Sequence, residues 1–374
     1  MRIPLLVTLL FLSTGASAQL SVADTDIALH APDAAWRVYG KAQAWAAYDT
    51  IPIGELTGDW DRNYTPRDGR NVFLQRNRIE TGVEKDGWHI GVEYRAEASL
   101  RASRDTVELY RMYRSKQRPA QARVFDVDLR LKGWAAGGLR VGRTVALAAG
   151  ADAPLLMVSA AVYGRARNLE HAAAGKVGYA PDGAYRLDAS YAASRNNYDY
   201  LFRREAEQAS AGATTSVAAQ WPLTKELTVN VAVNDLWSRL RWRNLPSTTA
   251  TVASDVREVD SDGYINYKPQ IAGRNSLITR IDRIGASTAL NLSYRLESWL
   301  LRAGAERIAG TTIPLLTAAY STRWGSFSGS YDTRFNTFGA GYDYGPLRLR
   351  LRADRLPVTD ASVFALELGA QHVF

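Results

Sequence analysis

The sequence predicts an all-β protein, a closed antiparallel transmembrane β-barrel of about sixteen strands, with both termini on the periplasmic side. Fourteen to eighteen strands are compatible with the pattern. Three observations carry the expectation. Apolar and polar residues alternate with period two along much of the 374-residue chain, no cysteine is present to staple a fold of this length, and the chain ends in a two-faced strand whose last residue is Phe374. With 46 % hydrophobic residues and a mean hydropathy of −0.24, the composition alone would also suit a water-soluble protein. A barrel strand meets lipid only at every second residue, so its average hydropathy stays low while its alternation stays high.

The N-terminus reads Met1-Arg2, then a short apolar run from Pro4 to Leu12, then Ala16-Ser17-Ala18. That order is expected of a secretory signal peptide over residues 1–18, whose apolar part is too short to cross a bilayer as a helix. The mature chain would start at Gln19, and Gln in place of Cys closes the lipid-anchored route. Residues 19–33 read as a short periplasmic lead and 34–374 as the barrel, with no solenoid repeat, low-complexity tract or linker dividing it.

The hairpin around Asp86-Gly87 shows the alternation best. Ile79, Thr81 and Val83 share one face while Arg76, Arg78, Glu80 and Glu84 share the other. Past the turn, Trp88, Ile90, Val92 and Tyr94 oppose His89, Glu93, Arg95 and Glu97. Phe125, Val127, Leu129 and Leu131 alternate with Asp126, Asp128, Arg130 and Lys132, and Tyr185, Leu187 and Tyr191 with Arg186, Asp188 and Ser190. Downstream, Leu290, Leu292 and Tyr294 oppose Asn291, Ser293 and Arg295, and Leu347, Leu349 and Leu351 oppose Arg348, Arg350 and Arg352, with Arg302 at the same channel-side parity. A soluble sandwich also has two-faced strands, so the number of such strands decides for the barrel. No helical period competes.

Seven short turns are expected on the periplasmic side, at Asp86-Gly87, Ala135–Gly138, Pro181–Gly183, Pro222–Lys225, Leu296–Ser298, Gly325 and Gly345-Pro346. Longer outer loops are expected near 51–70, 103–121, 148–169, 194–208 and 241–276. The apolar run 155–163 and the alternating stretch 252–271 could each add strands or fold inward. Trp88, Trp134, Tyr179, Tyr185, Trp221, Tyr294, Trp299, Trp324 and Tyr344 fall beside the short turns, as expected of a periplasmic-side aromatic girdle at headgroup level.

The last strand, with Phe364, Leu366, Leu368, Ala370, His372 and Phe374 on one side, resembles the terminal strand of outer-membrane barrel proteins. By that resemblance Phe364, Leu366, Leu368 and Phe374 are the signal read by the barrel-assembly machinery, with His372 standing where an aromatic is usual. The overall layout resembles Gram-negative porins, a class that includes general diffusion channels and arginine-lined exporters of acidic exopolysaccharide. Leu139–Thr144 is similar to the Gly-Arg-Gln strand of such families, with Thr144 in place of Gln. The resemblance would make the segment 148–169 a loop folded into the pore, although Leu155–Val158 is unusually apolar for that role and only Asp152 and Glu170 are acidic nearby.

The expected pore lining is Arg76, Arg78, Glu80, Glu93, Arg95, Glu97, Asp126, Asp128, Arg130, Arg186, Asp188, Arg295, Arg302, Arg348, Arg350 and Arg352. Soluble interiors rarely bury unpaired charge, whereas a water-filled lumen leaves it solvated and able to select permeants. The 46 basic residues comprise 39 Arg and 7 Lys, and the net charge is +8. Planar guanidinium favours bidentate anion binding, so the expected function is passive passage of small hydrophilic, preferentially anionic solutes. A conduit for an acidic saccharide and a non-conducting adhesion or scaffold barrel are the alternatives. Expected partners are outer-membrane lipid and lipopolysaccharide, the assembly machinery, and small anionic or saccharide solutes; no nucleic-acid motif is present, and monomer and trimer both stay open. No cofactor, metal or enzymatic role is expected. The four histidines, His30, His89, His171 and His372, form no grouping suited to a general base. Asp255, Glu258, Asp260 and Asp262 lack the spacing of a calcium loop, and Tyr198, Tyr200, Phe202, Arg203 and Arg204 read as an aromatic and basic loop tip.

Overall fold

The structure is a computed structural model that describes residues 29–49, 51–55, 60, 64–150, 152–196, 208–254, 257–259, 265–267 and 270–374. The signal-peptide segment, the loop tip at Tyr198–Arg204, and Asp255, Asp260 and Asp262 lie outside the described residues. The strands are β1 (Arg37–Tyr48), β2 (Arg70–Lys85), β3 (Trp88–Ser103), β4 (Arg123–Ala146), β5 (Leu155–Tyr179), β6 (Tyr185–Arg195), β7 (Ala209–Pro222), β8 (Leu227–Ala253), β9 (Arg257–Val259) and β10 (Ile265–Tyr267). They continue as β11 (Ile271–Asp282), β12 (Ser287–Leu296), β13 (Trp299–Ile308), β14 (Thr311–Thr322), β15 (Gly325–Asp332), β16 (Thr337–Tyr344), β17 (Leu347–Ala353) and β18 (Val363–Val373). One helix, α1 (Arg104–Ser115), follows β3.

Every neighbour in the main sheet is antiparallel, and β1 pairs with both β2 and β18 from Arg37↔Val373 to Ala47↔Val363, which closes the barrel. Sixteen strands occupy fourteen positions around the wall. β6 and β7 follow one another along the gap between β5 and β8, and β11 and β12 likewise both lie along β8. The small β9–β10 hairpin stands apart from the barrel. Closure removes the exposed sheet edges that a chain without disulfides would otherwise have to cover.

Two of the expected short turns are not periplasmic turns. Ala135–Gly138 lies inside the 24-residue β4, where the register against β5 shifts between Ala135 and Gly137. The reason these glycines are there is cross-strand contact: a Cβ on Gly138 would sit 2.4 Å from the Val162 carbonyl and 2.6 Å from the Tyr163 ring. Pro181–Gly183 is a turn, but it joins β5 to β6 at the end of the barrel opposite the chain termini. Nor does 148–169 form a pore-folded loop, since only residues 147–154 connect β4 to β5 and the apolar run 155–163 is strand. Trp134, Tyr179 and Tyr185 accordingly leave the periplasmic girdle, while Trp88, Trp221, Tyr294, Trp299, Trp324 and Tyr344 flank turns at that end, all exposed.

The helix was not expected either. Ser103 caps it, its Oγ accepting from the Thr106 amide at 3.1 Å, and Met112 buries itself against Phe125 and Tyr179. Phe125 therefore sits on the apolar side of β4 without facing lipid.

Strand length positions everything else. At about 3.3 Å per residue and a tilt near 40°, the strands β4, β5 and β8 rise roughly 60 Å, against an apolar band of about 25 Å. β15, β16 and β17, with 8, 8 and 7 residues, rise only about 18–20 Å on the same geometry and end within that band. The tall side therefore stands well clear of the bilayer as a curved sheet of β4, β5, β6, β8 and β11. Over the membrane-crossing part, Ile79, Ile90, Val92, Leu139, Val162 and Leu290 point outward and stand more than half exposed. Leaving such side chains in water costs about 1.5–3 kcal/mol each, whereas lipid accepts them. This is an outer-membrane β-barrel protein.

Candidate functional site: the barrel interior

The inward faces divide into a packed half and a looser half. The packed half belongs to β1–β5 and β8. Register places Lys41, Gln43 and Trp45 of β1 opposite Glu80, Arg78 and Arg76 of β2, which in turn oppose Glu93, Arg95 and Glu97 of β3. Glu80 faces Glu93 and Arg78 faces Arg95, so their counter-ions are not the directly opposed residues but the diagonal and same-strand neighbours, where the sign changes. Arg78 donates to Glu93 Oε2 at 2.8 Å and to Glu80 Oε2 at 3.1 Å, and Arg76 reaches Glu306 Oε1 across the lumen at 2.8 Å. Arg140 lies 3.5 Å from Glu80 and 3.7 Å from Glu93. Tyr39 donates to Glu80 at 2.9 Å, and the Tyr163 hydroxyl donates to Glu93.

Arg95 is the most enclosed member. Its guanidinium is bidentate to Asp235, at 2.8 and 2.6 Å, also contacts Glu97 at 2.6 Å, and packs 5.0 Å from the Trp134 ring. Asp235 reaches it because β8 bulges there, with Asp235 at φ 54°. Glu80, Glu93, Arg95, Asp235 and Glu306 are each at most 5 % exposed. These charges are paired and buried rather than bathed in an open channel. Above them, Tyr163, Leu240, Trp242, Leu245 and Ile284 form an apolar cluster inside the wall, and Trp45, Leu74, Ile313, Phe335 and Val363 form another.

The looser half belongs to β12–β17. Register aligns Ser293, Arg302, Thr317, Ser330, Gly339 and Arg352 in one ring and Ser328, Gly341 and Arg350 in the next. The wall of small side chains leaves room for arginine. A Cβ on Gly341 would meet Ser328 Oγ at 2.4 Å and Arg350 Cγ at 2.9 Å, so the Arg350 stem lies over a strip of wall that only glycine leaves free. Arg348 contacts Asp343 at 3.1 Å, and Arg350 contacts both Asp343 and Glu367 at 3.4 Å. Arg302, Thr317, Ser328, Ser330, Arg348 and Arg350 are intermediate in exposure, in contrast to the closed lattice opposite.

The remaining expected pore residues lie at the two ends. Arg295 is exposed near the periplasmic rim, two residues before the β12–β13 turn. Asp126, Asp128, Arg130, Arg186 and Asp188 lie on the tall sheet beyond the bilayer. There a 770 Å³ groove is lined by Asp128, Arg130, Lys132, Glu170, Arg274 and a floor that includes Ala172, Ala192, Thr249 and Thr251. Glu170 is engaged by Arg280 at 2.5 Å, and Arg130 and Lys132 project with side chains 76 % exposed. In the last strand Phe364 and Leu366 are half-buried, and Leu368 and Phe374 are exposed. The Phe374 amide donates to the Trp36 carbonyl at 2.9 Å, and its ring meets His372 edge-on.

The expected pore lining did not include Tyr39, Arg140, Tyr163, Asp235, Glu306, Asp343 and Glu367. Arg140, Glu306 and Glu367 share the parity of residues already read as inward, so alternation alone could have found them. Asp235 could not be placed that way, because a bulge resets the parity.

No protein-family model matches the chain, and no curated protein does. Among solved structures, a deletion mutant of the monoaromatic hydrocarbon channel TodX aligns at TM-score 0.43 and 10 % identity, over 96 % of each chain. The Pseudomonas putida toluene transporter TodX aligns at 0.42 and 10 %, over 92 % of this chain and 89 % of that one. The Escherichia coli outer membrane protease OmpT aligns at 0.28 and 10 %, over 94 % and 100 %. At this identity and these scores, nothing about what those proteins carry or cleave passes to this chain.

Proposed function

We propose that this barrel is a non-enzymatic outer-membrane channel for small hydrophilic, preferentially anionic solutes. The path runs along the Ser/Gly wall of β14–β16 and past Arg302, Arg348 and Arg350. The observation that carries the reading is the asymmetry of the interior: buried ion pairs on one side, and on the other small side chains beside half-exposed arginines, with Arg348 and Arg350 sharing Asp343 and Glu367. Guanidinium groups that line a narrow path attract anions without holding them. Arginine elsewhere, in the outer segments, steers ions only over about a Debye length, roughly 8 Å at physiological salt.

Reversal potential in a salt gradient across a planar bilayer tests it. The native protein should favour anions, and Arg348→Ser, Arg350→Ser and Arg352→Ser together should move the reversal potential towards cations. Clear cation preference in the native protein refutes the reading. So does a triple variant without effect when changes at Arg111, Arg114 and Arg118 alter selectivity, which would put the selecting charge at the mouth.

A second reading, a conduit for an acidic saccharide, is favoured by the outer groove. Its volume falls within the roughly 300–1,000 Å³ of small-molecule sites, and Arg130, Lys132 and Arg274 stand beside a floor of small methyl and hydroxyl groups on which a sugar ring can lie. Block of the current by an oligogalacturonate added on the outer side, and its absence with a neutral malto-oligosaccharide, would distinguish this reading from general diffusion.

A further inference from the structure

The outward face of the barrel carries almost no charge over its apolar band, with one local exception on the tall side. On β5 the outward residues run Leu156, Val158, Ala160 and Val162, and above them Arg165 and Arg167 are exposed. On β8 the outward Val231 is followed by Leu236 and Trp237, both more than half exposed, and then by the exposed Arg239, Arg241 and Arg243. Their neighbours Ser238, Leu240 and Trp242 are buried inside, which fixes the arginines on the outer surface. β7 lies between the two groups, pairing Ala211 with both Gly164 and Arg241 and Ala209 with Arg243. The five guanidiniums thus border one strip of alanine on three adjacent strands. Among the described residues none of the five makes an ion pair, and no carboxylate points outward between them.

Height decides what such a patch meets. An Arg on the lipid face of a barrel costs about 2–4 kcal/mol at the midplane and about 0–1 near an interface, so five together stand at headgroup level or above it. Arg165 lies ten residues above the start of β5, and Arg239 and Arg243 twelve and sixteen above the start of β8, so the patch spans roughly 25–40 Å of rise, from the top of the apolar band upward. Trp237, just below Arg239, marks the same boundary, because indole settles at the interface. The patch therefore sits at the outer-leaflet surface, away from the lumen. A cluster of planar, always-charged donors there fits a ligand with more than one phosphate, since each guanidinium can take a phosphate oxygen pair.

We propose that Arg165, Arg167, Arg239, Arg241 and Arg243 form a binding site on the outer wall for the phosphorylated headgroup of an outer-leaflet glycolipid. The site is independent of the conducting path. Its test uses the full chain in detergent, with bis-phosphorylated lipid A as probe and retention read by native mass spectrometry. The native protein should retain one or more lipid A molecules, and substituting all five arginines by Ser should weaken retention at least tenfold. Barrel closure, read as a migration difference before and after boiling, and reversal potential should stay as in the native protein. Should the fivefold variant fail to fold, Arg165→Ser with Arg167→Ser, and Arg239→Ser with Arg241→Ser and Arg243→Ser, should each weaken retention separately. Equal retention by these variants overturns the site. Equal retention of dephosphorylated lipid A overturns the phosphate, and equal retention of phosphatidylglycerol overturns the glycolipid. Loss of channel activity in the native protein would bear on the proposed function and leave this measurement intact.

Discussion

Replacing Asp235 by Ala tests whether the packed half of the interior is as closed as its geometry. Arg95 is 5 % exposed and Asp235 3 %, and the two share a bidentate contact at 2.6 and 2.8 Å. Removing the carboxylate leaves Arg95 with Glu97 alone as its counter-ion, at 2.6 Å, plus the Tyr163 hydroxyl at 3.2 Å. Breaking one partner of a buried pair costs about 3–5 kcal/mol, because the remaining charge stays desolvated. That is roughly two to three and a half orders of magnitude in the unfolding equilibrium. Urea unfolding in phospholipid vesicles, followed by tryptophan fluorescence, measures it. Asp235→Leu combined with Arg95→Met should recover most of the loss, since removing both charges removes the uncompensated one, and Glu97 keeps Arg76 at 4.0 Å. A loss for Asp235→Ala below about 1 kcal/mol is the value for a water-exposed pair, and it would refute the closed lattice.

Deleting Phe374 should lower recovery in the outer-membrane fraction, both because the last residue is expected to be read during assembly and because its amide closes the seam to Trp36; unchanged recovery would contradict both. Ser103→Ala removes the cap of α1 and should lower the unfolding free energy by about 1 kcal/mol in the same urea assay. Burial, and then Arg37 and Lys41, push the His30 imidazole below its ordinary value. The docked lead therefore holds His30 neutral. Its stability is full above about pH 6.5, the undocked value, and falls as pH drops below that. Protease cleavage within residues 29–36 should accelerate between pH 8 and pH 5, and His30→Gln should flatten that dependence.

The parts of the fold legible in the sequence are those where period-two alternation is unbroken and one side is lipid. β2, β3, β12, β17 and β18 run without a bulge, so a residue's parity fixes its face, and Arg76, Arg78, Glu80 and Arg348 could be placed inward from spacing alone. Alternation failed where the backbone departs from a plain ladder. The small residues at Ala135–Gly138 mimic a turn although they serve close packing against Tyr163, and the bulges at Arg165 and Asp235 shift parity within one strand. Arg241 and Arg243 were read as loop because the long β8 passes beyond the apolar band, where apolar alternation stops while the hydrogen-bonded ladder continues. Pairing was the other blind spot. Charge at inward positions is visible in the sequence, but whether it meets water or a counter-ion depends on cross-strand register, which is why an open arginine-rich lumen was expected where the β1–β5 side is a closed lattice.

Because the chain has no cysteine, single cysteines can report where solutes pass. Ser328 lies on the looser wall beside Gly341, and Ser159 lies on the packed side, 4 % exposed and hydrogen-bonded to Arg140 at 2.9 Å. In planar-bilayer recordings, a small anionic thiol reagent should cut the current through Ser328→Cys and leave Ser159→Cys unaffected. Block at Ser159→Cys with none at Ser328→Cys, or block at neither position, would contradict a path along the Ser/Gly wall.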